Sequence, residues 1–476
     1  MVHPIVLIHG YGGEGRPSEV QRIYGDLPEV LYHRYGQRRP VIINLSRFIT
    51  LEDGVSLYDL AQALHQALRR PEHRYLLESG FNAIVHSTGG LLLRTWLRHF
   101  SPRPSPLKHA VHLAPAHFGS GWAHLGRGQL ARWFREVFQH AEPGTRILEA
   151  LELGSPYAWD LHTWFLDHPV AETFGTFEYV MVGSEADSRW FALPLRYAHE
   201  DGSDGVVRVA AANLNYRWLV LEPEPEAQAP TSHAPIRRFY RLKFAKTAPP
   251  VPFAVLPRCA HSGKPLGIVT GHEPRETLLR LLDRALTDTT PSDYRKSMEV
   301  FQQATQHTYQ QVAQEPPPPW FKPWERLWNR KQQYDPHAMV VLRFVDQFGA
   351  PVPHVDIYFR AAPRARRART RRIADLLEHH HRNHQHPSTH VFYLRTATFQ
   401  ESQGRWVSLL DNVQGFTLQV TATEPETRDI QYVPFSWPLN APDLAPLVHP
   451  HQTTLVEIRL LRYGRKRLFR LYPYRP

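Results

Sequence analysis

Ser87 is the residue around which chemistry can be assembled. It stands in Asn82-Ala83-Ile84-Val85-His86-Ser87-Thr88-Gly89-Gly90, an apolar run that ends in a serine with a histidine before it and two glycines after it. The helix-forming Leu91-Leu92-Leu93-Arg94-Thr95-Trp96-Leu97 follows at once. A strand that turns directly into a helix lifts the hydroxyl of the turn residue above the sheet edge on strained backbone, as an attacking oxygen requires. Gly89 removes a side chain that would collide across the turn, and Gly90 lets the helix start lie close to the sheet. A serine hydroxyl is a weak nucleophile alone and needs a base within hydrogen-bond reach, itself oriented by a third group. With 29 histidines in the chain, composition does not pick that base.

The elements that must position such a group alternate. Pro4 to Ile8 reads as a short buried strand that empties into His9-Gly10-Tyr11-Gly12-Gly13-Glu14-Gly15, a loop whose glycines can turn a backbone amide into a cleft. A phosphate-binding loop would continue with Lys-Ser/Thr, and none follows. Val41 to Leu45 is the next strand, and Ser56 to Arg70 is an amphipathic helix with Leu57, Leu60, Ala61, Leu64 and Leu68 on one face. Lys108 to Leu113, Phe177 to Gly183 and Pro252 to Leu256 read as further strands. This alternation predicts an α/β fold, a mostly parallel sheet with helices on both faces and an active site at the carboxyl ends of its strands.

At Ser87 the sequence resembles the α/β-hydrolase family, and within it the bacterial lipases and esterases whose elbow reads His-Ser-x-Gly-Gly, here His86, Ser87, Thr88, Gly89 and Gly90. The family pattern is Gly-x-Ser-x-Gly, and Val85 stands at its first glycine, where a β-branched side chain is expected to crowd the turn. The resemblance implies an oxyanion hole made by the backbone N–H of Tyr11, after the His9-Gly10 pair, and that of Thr88. It implies a triad acid in Asp201-Gly202-Ser203-Asp204-Gly205-Val206-Val207, where the family's Asp-Gly-Val/Leu-Val segment selects Asp204 and leaves Asp201 as the fallback. The base should leave the last core strand, and His261 in Arg258-Cys259-Ala260-His261-Ser262-Gly263 fits. Its competitor, His272, precedes a helix opened by Pro274, whose positive end disfavours an imidazolium. Ser87, Asp204, His261 is the chain order this fold uses. The stretch Ala114 to Ser120 resembles the segment after the corresponding strand in lipases and should line the cleft.

The function so implied is hydrolysis of carboxylic esters, with lipids the favoured substrates and neither cofactor nor metal required. A lipase or phospholipase fits, and a lipase-type toxin effector shares the layout. An acyltransferase would use the same triad, and an inactive hydrolase-fold binding or delivery module is the alternative from another class.

At 476 residues the chain is too long for one core. The expected division is a hydrolase domain over 1–290, a helical and proline-rich linker over 291–335 with Pro316 to Pro319 as a stiff break, and an antiparallel β-sandwich over 336–476. Residues 117–176 do not fit the minimal alternation and read as a helical insertion, either a lid-like cover over the cleft or helices that cap the core. Leu130, Trp133, Phe134, Val137 and Phe138 there follow a helical spacing, with Tyr157, Trp159, Trp164 and Phe165 beyond them. The single cysteine, Cys259, excludes an internal disulfide. Met1 to Gly10 is apolar without a basic leader and reads as a strand rather than a signal peptide. The protein is therefore expected to be cytoplasmic, or exported by a route that needs no signal peptide. The net charge of +11 is concentrated between Arg360 and Arg372, where no aromatic residues are interleaved for base stacking. That run reads as a solvated loop with an anionic membrane surface as its possible partner, and nucleic acid is disfavoured. The run His379 to His386 reads as a mobile loop without the fixed support that a metal site needs.

Overall fold

Five of the strands just read, together with the elbow strand, build one sheet. β1 (Ile5–His9), β2 (Val41–Asn44), β3 (Phe81–His86), β4 (Leu107–Leu113), β5 (Phe177–Val182) and, after an excursion, β8 (Phe253–Val255) lie in the order β2-β1-β3-β4-β5-β8. Every neighbouring pair is parallel. This is the computed structural model of the chain, and it describes residues 2–9, 24–35, 39–45, 48–49, 52–121, 144–185, 200–223, 240–316, 330–362 and 371–464. Among these, no helix is long and apolar enough to cross a membrane.

Because successive strand residues face opposite sides, the sheet buries two faces. Leu7, Ile84, Val111, Tyr179 and Met181 pack in one cluster with Leu27 and Leu31 of the helix Leu27–Tyr35, with Leu278, Leu281 and Leu282 of Arg275–Thr287, and with Phe301 and Ala304 of Pro291–Gln314. The helix Leu57–Leu68 begins where the sequence places it, with Ser56 and Asp59 forming a reciprocal capping box. Pro291–Gln314 is no linker: its Thr308 hydroxyl donates to the Val255 carbonyl at 2.8 Å, and its Thr305 hydroxyl accepts from the Val255 N–H at 3.0 Å. Two threonines one helical turn apart thus satisfy backbone groups of the edge strand β8.

The chain divides into two compact units, and they are not consecutive blocks. The first comprises Met1–Asn215, Ala248–Pro336 and Phe399–Trp406; the second comprises Tyr216–Thr247, His337–Thr398 and Val407–Pro476. The second unit therefore takes a hairpin, β6 (Arg217–Pro223) and β7 (Tyr240–Thr247), out of the stretch expected to be hydrolase throughout. These join β9 (His337–Asp346), β11 (Leu377–Arg382), β12 (Thr389–Arg395) and β18 (Thr453–Leu460) in a sheet ordered β11-β12-β9-β18-β6-β7. That sheet is mixed rather than antiparallel, since β18 runs parallel to both β9 and β6. β10 (Val355–Ala361), β15 (Phe416–Ala422) and β17 (Phe435–Leu439) form an antiparallel sheet of three. Val340, Leu342, Phe392 and Val456 of the larger sheet share one apolar core with Leu418, Val420 and Phe435 of the smaller. Two short pairs, β13 (Ala397–Gln400) with β14 (Arg405–Ser408) and β16 (Ile430–Tyr432) with β19 (Arg462–Gly464), complete the strands.

Three expectations meet this fold differently. The histidine run is only partly a loop: His379, His380 and His381 lie in β11, paired with β12, while His384 and His386 fall in the connection between the two strands. Most of the arginine run, residues 363–370, lies outside the described residues, as do residues 122–143 of the insertion with Leu130, Trp133, Phe134, Val137 and Phe138. The described remainder of that insertion folds as the helices Thr145–Leu151, Pro156–Asp167 and Val170–Phe174, with Trp159 and Phe165 buried.

Candidate active site

β3 delivers the serine. Ser87 takes φ 55°, the left-handed region, which costs an ordinary residue roughly 1–2 kcal/mol and must be over-determined by its surroundings. Its N–H donates to the Leu113 carbonyl of β4 at 3.0 Å, and its own carbonyl accepts from the Gly90 N–H at 3.1 Å. Thr88 then opens the helix Gly89–His99. Val85 does not crowd this turn. A Cβ on Gly89 would lie 3.0 Å from that of Val85, so the missing side chain at 89 makes room for the valine that replaces the family glycine. Gly90 is equally constrained, since a Cβ there would come within 2.8 Å of Pro115 and 3.0 Å of His117.

The three expected triad side chains meet. His261 Nε2 lies 3.1 Å from Ser87 Oγ, and His261 Nδ1 lies 2.9 Å from Asp204 Oδ2. An ionised carboxylate only accepts, so Nδ1 carries the proton and Nε2 presents its lone pair to the serine hydroxyl. All three are at most 3% exposed, which strengthens each interaction and fixes each rotamer. Asp204, not Asp201, is the carboxylate at His261, and His272 is exposed. Of the expected oxyanion donors, Thr88 heads the elbow helix, while Gly10 and Tyr11 lie outside the described residues, as does the His9 side chain.

Asp204 and His261 are held by their own loops. Asp204 Oδ1 accepts from the N–H groups of Val206 at 3.0 Å and Val207 at 2.7 Å, a turn that pins the carboxylate. The His261 N–H donates to the Asp204 carbonyl at 2.9 Å, joining the two loops. His86 donates from Nε2 to the His261 carbonyl at 3.1 Å, and its ring lies 4.7 Å from that of His261. His86, which precedes Ser87, thus steadies the His261 loop. Burial, with Asp204 and Glu185 nearby, pushes the Cys259 thiol well above the ordinary range, which disfavours its thiolate.

Sequence reasoning missed the braces. Ser120 donates its hydroxyl to the Val206 carbonyl at 2.6 Å, so the segment after β4 ties down the acid loop rather than simply lining a cleft. Arg208, fully buried, grips Glu200 through two bonds of 2.9 and 2.6 Å. Beneath the elbow, Arg94 pairs with Glu178 at 3.3 Å and stacks on Phe165. Burial pushes the Glu178 carboxyl up, but Arg94 and His112 outweigh it and hold the group below its usual range. Nothing in the sequence marked these charges as partners, since Arg94 and Glu178 stand 84 positions apart.

Over 99% of its length, and 96% of the other's, the chain superposes on phospholipase PlaB from Legionella pneumophila with a TM-score of 0.80 and 26% identity. The same phospholipase in complex with thio-NAD matches with a TM-score of 0.78 and 25% identity, again covering 99% of this chain and 96% of that one. The chain has the α/β-hydrolase fold of that phospholipase. No protein-family model and no curated protein matches this hydrolase by sequence. The likeness to the phospholipase extends beyond the parallel sheet of the hydrolase and takes in the β-rich unit.

Proposed function

We propose that this hydrolase cleaves carboxylic ester bonds of lipids, phospholipids above all, through Ser87, His261 and Asp204. The observation that carries the reading is the unbroken hydrogen-bonded chain from the Ser87 hydroxyl through the His261 imidazole to the Asp204 carboxylate. In the proposed reaction His261 Nε2 takes the serine proton as Ser87 Oγ attacks the acyl carbon. Asp204 stabilises the resulting imidazolium and keeps the ring oriented. The Thr88 N–H at the head of the elbow helix, with Tyr11 N–H, receives the developing oxyanion, each donor contributing about 3 kcal/mol. His261 returns the proton to the departing alcohol, and water activated by the same ring releases the acyl group. A phospholipid substrate is favoured by the full-length likeness to a phospholipase. The basic balance of the chain favours approach to an anionic membrane surface.

The test is a panel of phospholipid, triglyceride and short-chain p-nitrophenyl esters, assayed with the wild-type chain and with Ser87→Ala. Wild type should release fatty acid from phospholipid and be labelled by a fluorophosphonate at Ser87. The variant should lose the label and about 10⁴-fold or more of its turnover. Turnover that survives the substitution would show that Ser87 is not the nucleophile.

A further inference from the structure

The six residues Arg330–Asp335 lie well beyond the last strand of the parallel sheet, yet they reach the loops of both the acid and the base. The Gln333 carbonyl accepts from the Gly202 N–H at 2.8 Å, two residues before Asp204, and from the Ser184 hydroxyl at 2.7 Å. Tyr334 is fully buried. Its hydroxyl donates to Glu185 Oε1 at 2.9 Å and accepts from the Arg258 N–H at 3.1 Å, three residues before His261. Glu185 adds its own N–H, which donates to the Cys259 carbonyl at 3.0 Å, and Arg330 fixes the carboxylate through two bonds of 2.9 and 2.6 Å. Arg258 holds φ 48°, a conformation an ordinary residue keeps only when its neighbours enforce it. The bond from its N–H to Tyr334 is one such enforcement.

We propose that Tyr334, with the adjacent Gln333 carbonyl, is a positioning residue: it holds the Asp204 and His261 loops in register so that the imidazole stays within reach of Ser87. The inference rests on the triad reading above and adds to it that the catalytic unit is incomplete without residues 330–335. Tyr334 touches no reacting atom, so its effect should fall on the chemical step rather than on substrate binding.

The test uses the full chain carrying Tyr334→Phe, which keeps the ring and removes the hydroxyl. With phospholipid or p-nitrophenyl ester, kcat per folded molecule should fall about tenfold while KM stays within about twofold, since small misplacements of a catalytic group are costly. Fluorophosphonate labelling of Ser87 should slow by the same factor. If Tyr334→Phe does not fold, Ser184→Ala removes one of the two donors to the Gln333 carbonyl, and a severalfold loss in kcat with KM unchanged is the expected result. A folded Tyr334→Phe that turns over and labels within twofold of wild type overturns the proposal. So does a variant that loses stability while its kcat per folded molecule is unchanged, which would make Tyr334 a packing residue only. Failure of the triad reading itself is separable, because wild type would then not label at Ser87 at all.

Discussion

The elbow and the two loops facing it are held in different ways. Ser87 is fixed by a continuous run of backbone, from β3 through the turn into the helix Gly89–His99, with one bond to the neighbouring β4. Asp204 and His261 sit on loops with little regular structure, and their positions depend on Ser120, Glu185, Gln333 and Tyr334, each reaching in from another part of the first unit. A nucleophile can therefore be encoded in about ten adjacent residues, whereas its acid and base require contacts made only when the whole sheet has assembled. If so, lesions in the distant supports should damage catalysis as severely as lesions near the serine.

Gly183→Ala is the strongest test of that difference. A Cβ at Gly183 would lie 1.9 Å from the Cys259 carbonyl oxygen and 2.5 Å from its carbon, so backbone on one side must move. The loop it would push carries His261. Such overpacking against backbone should cost about 3 kcal/mol, and a displaced imidazole should lower kcat by about 100-fold. Urea unfolding and steady-state turnover read the two effects. Near-normal kcat in this variant would mean that the His261 loop tolerates displacement and that the distant supports matter less than the elbow.

What could be read from the sequence follows the same division. The parallel sheet, the elbow, and the order Ser87, Asp204, His261 were legible because strand alternation, a glycine-flanked serine and an Asp-Gly turn are local patterns. The exchange of β6 and β7 into the β-rich unit was not. Nothing in Trp218 to Leu221 says that the neighbour of this strand will be β18, more than two hundred positions away. The helix Pro291–Gln314 likewise looked like a Gln-rich connector, because the feature that binds it to β8 is only two threonines. The support from Tyr334 was invisible for the same reason, since one tyrosine after a proline-rich stretch carries no local mark.

The elbow side carries a weakness of its own, which is acid. His109 on β4 lies 2.8 Å from Asn82 Oδ1 on β3 and 2.6 Å from the Asp288 carbonyl, and burial lowers its pKa to about 4. Burial also holds His117 and His162, packed near the elbow, well below the ordinary range. Burial favours the neutral form of these rings in the folded chain, so the unfolded state should bind more protons than the folded one as the pH falls below 6.5, for His109 down to about 4. Stability is accordingly complete above pH 6.5 and should be lost progressively as the pH falls toward 4. Thermal unfolding measured across this window should show Tm declining, and His109→Asn should flatten the decline. A wild-type Tm that is constant from pH 7 to 4.5 would contradict the assignment of these rings as neutral.

Ser120→Ala carries the smallest expected effect and divides local from distant support most finely. The substitution removes the hydroxyl that donates to the Val206 carbonyl but leaves the N–H groups of Val206 and Val207 on Asp204 Oδ1. Loss of one buried hydrogen bond should lower stability by about 1 kcal/mol. If Asp204 is fixed chiefly by its own turn, kcat will not change beyond that loss of folded protein. If the brace from the segment after β4 sets where the turn sits, kcat should fall severalfold at temperatures far below Tm, with KM unaltered. The second outcome is expected, because a turn can hold a carboxylate firmly relative to its own backbone and still present it at the wrong place relative to His261.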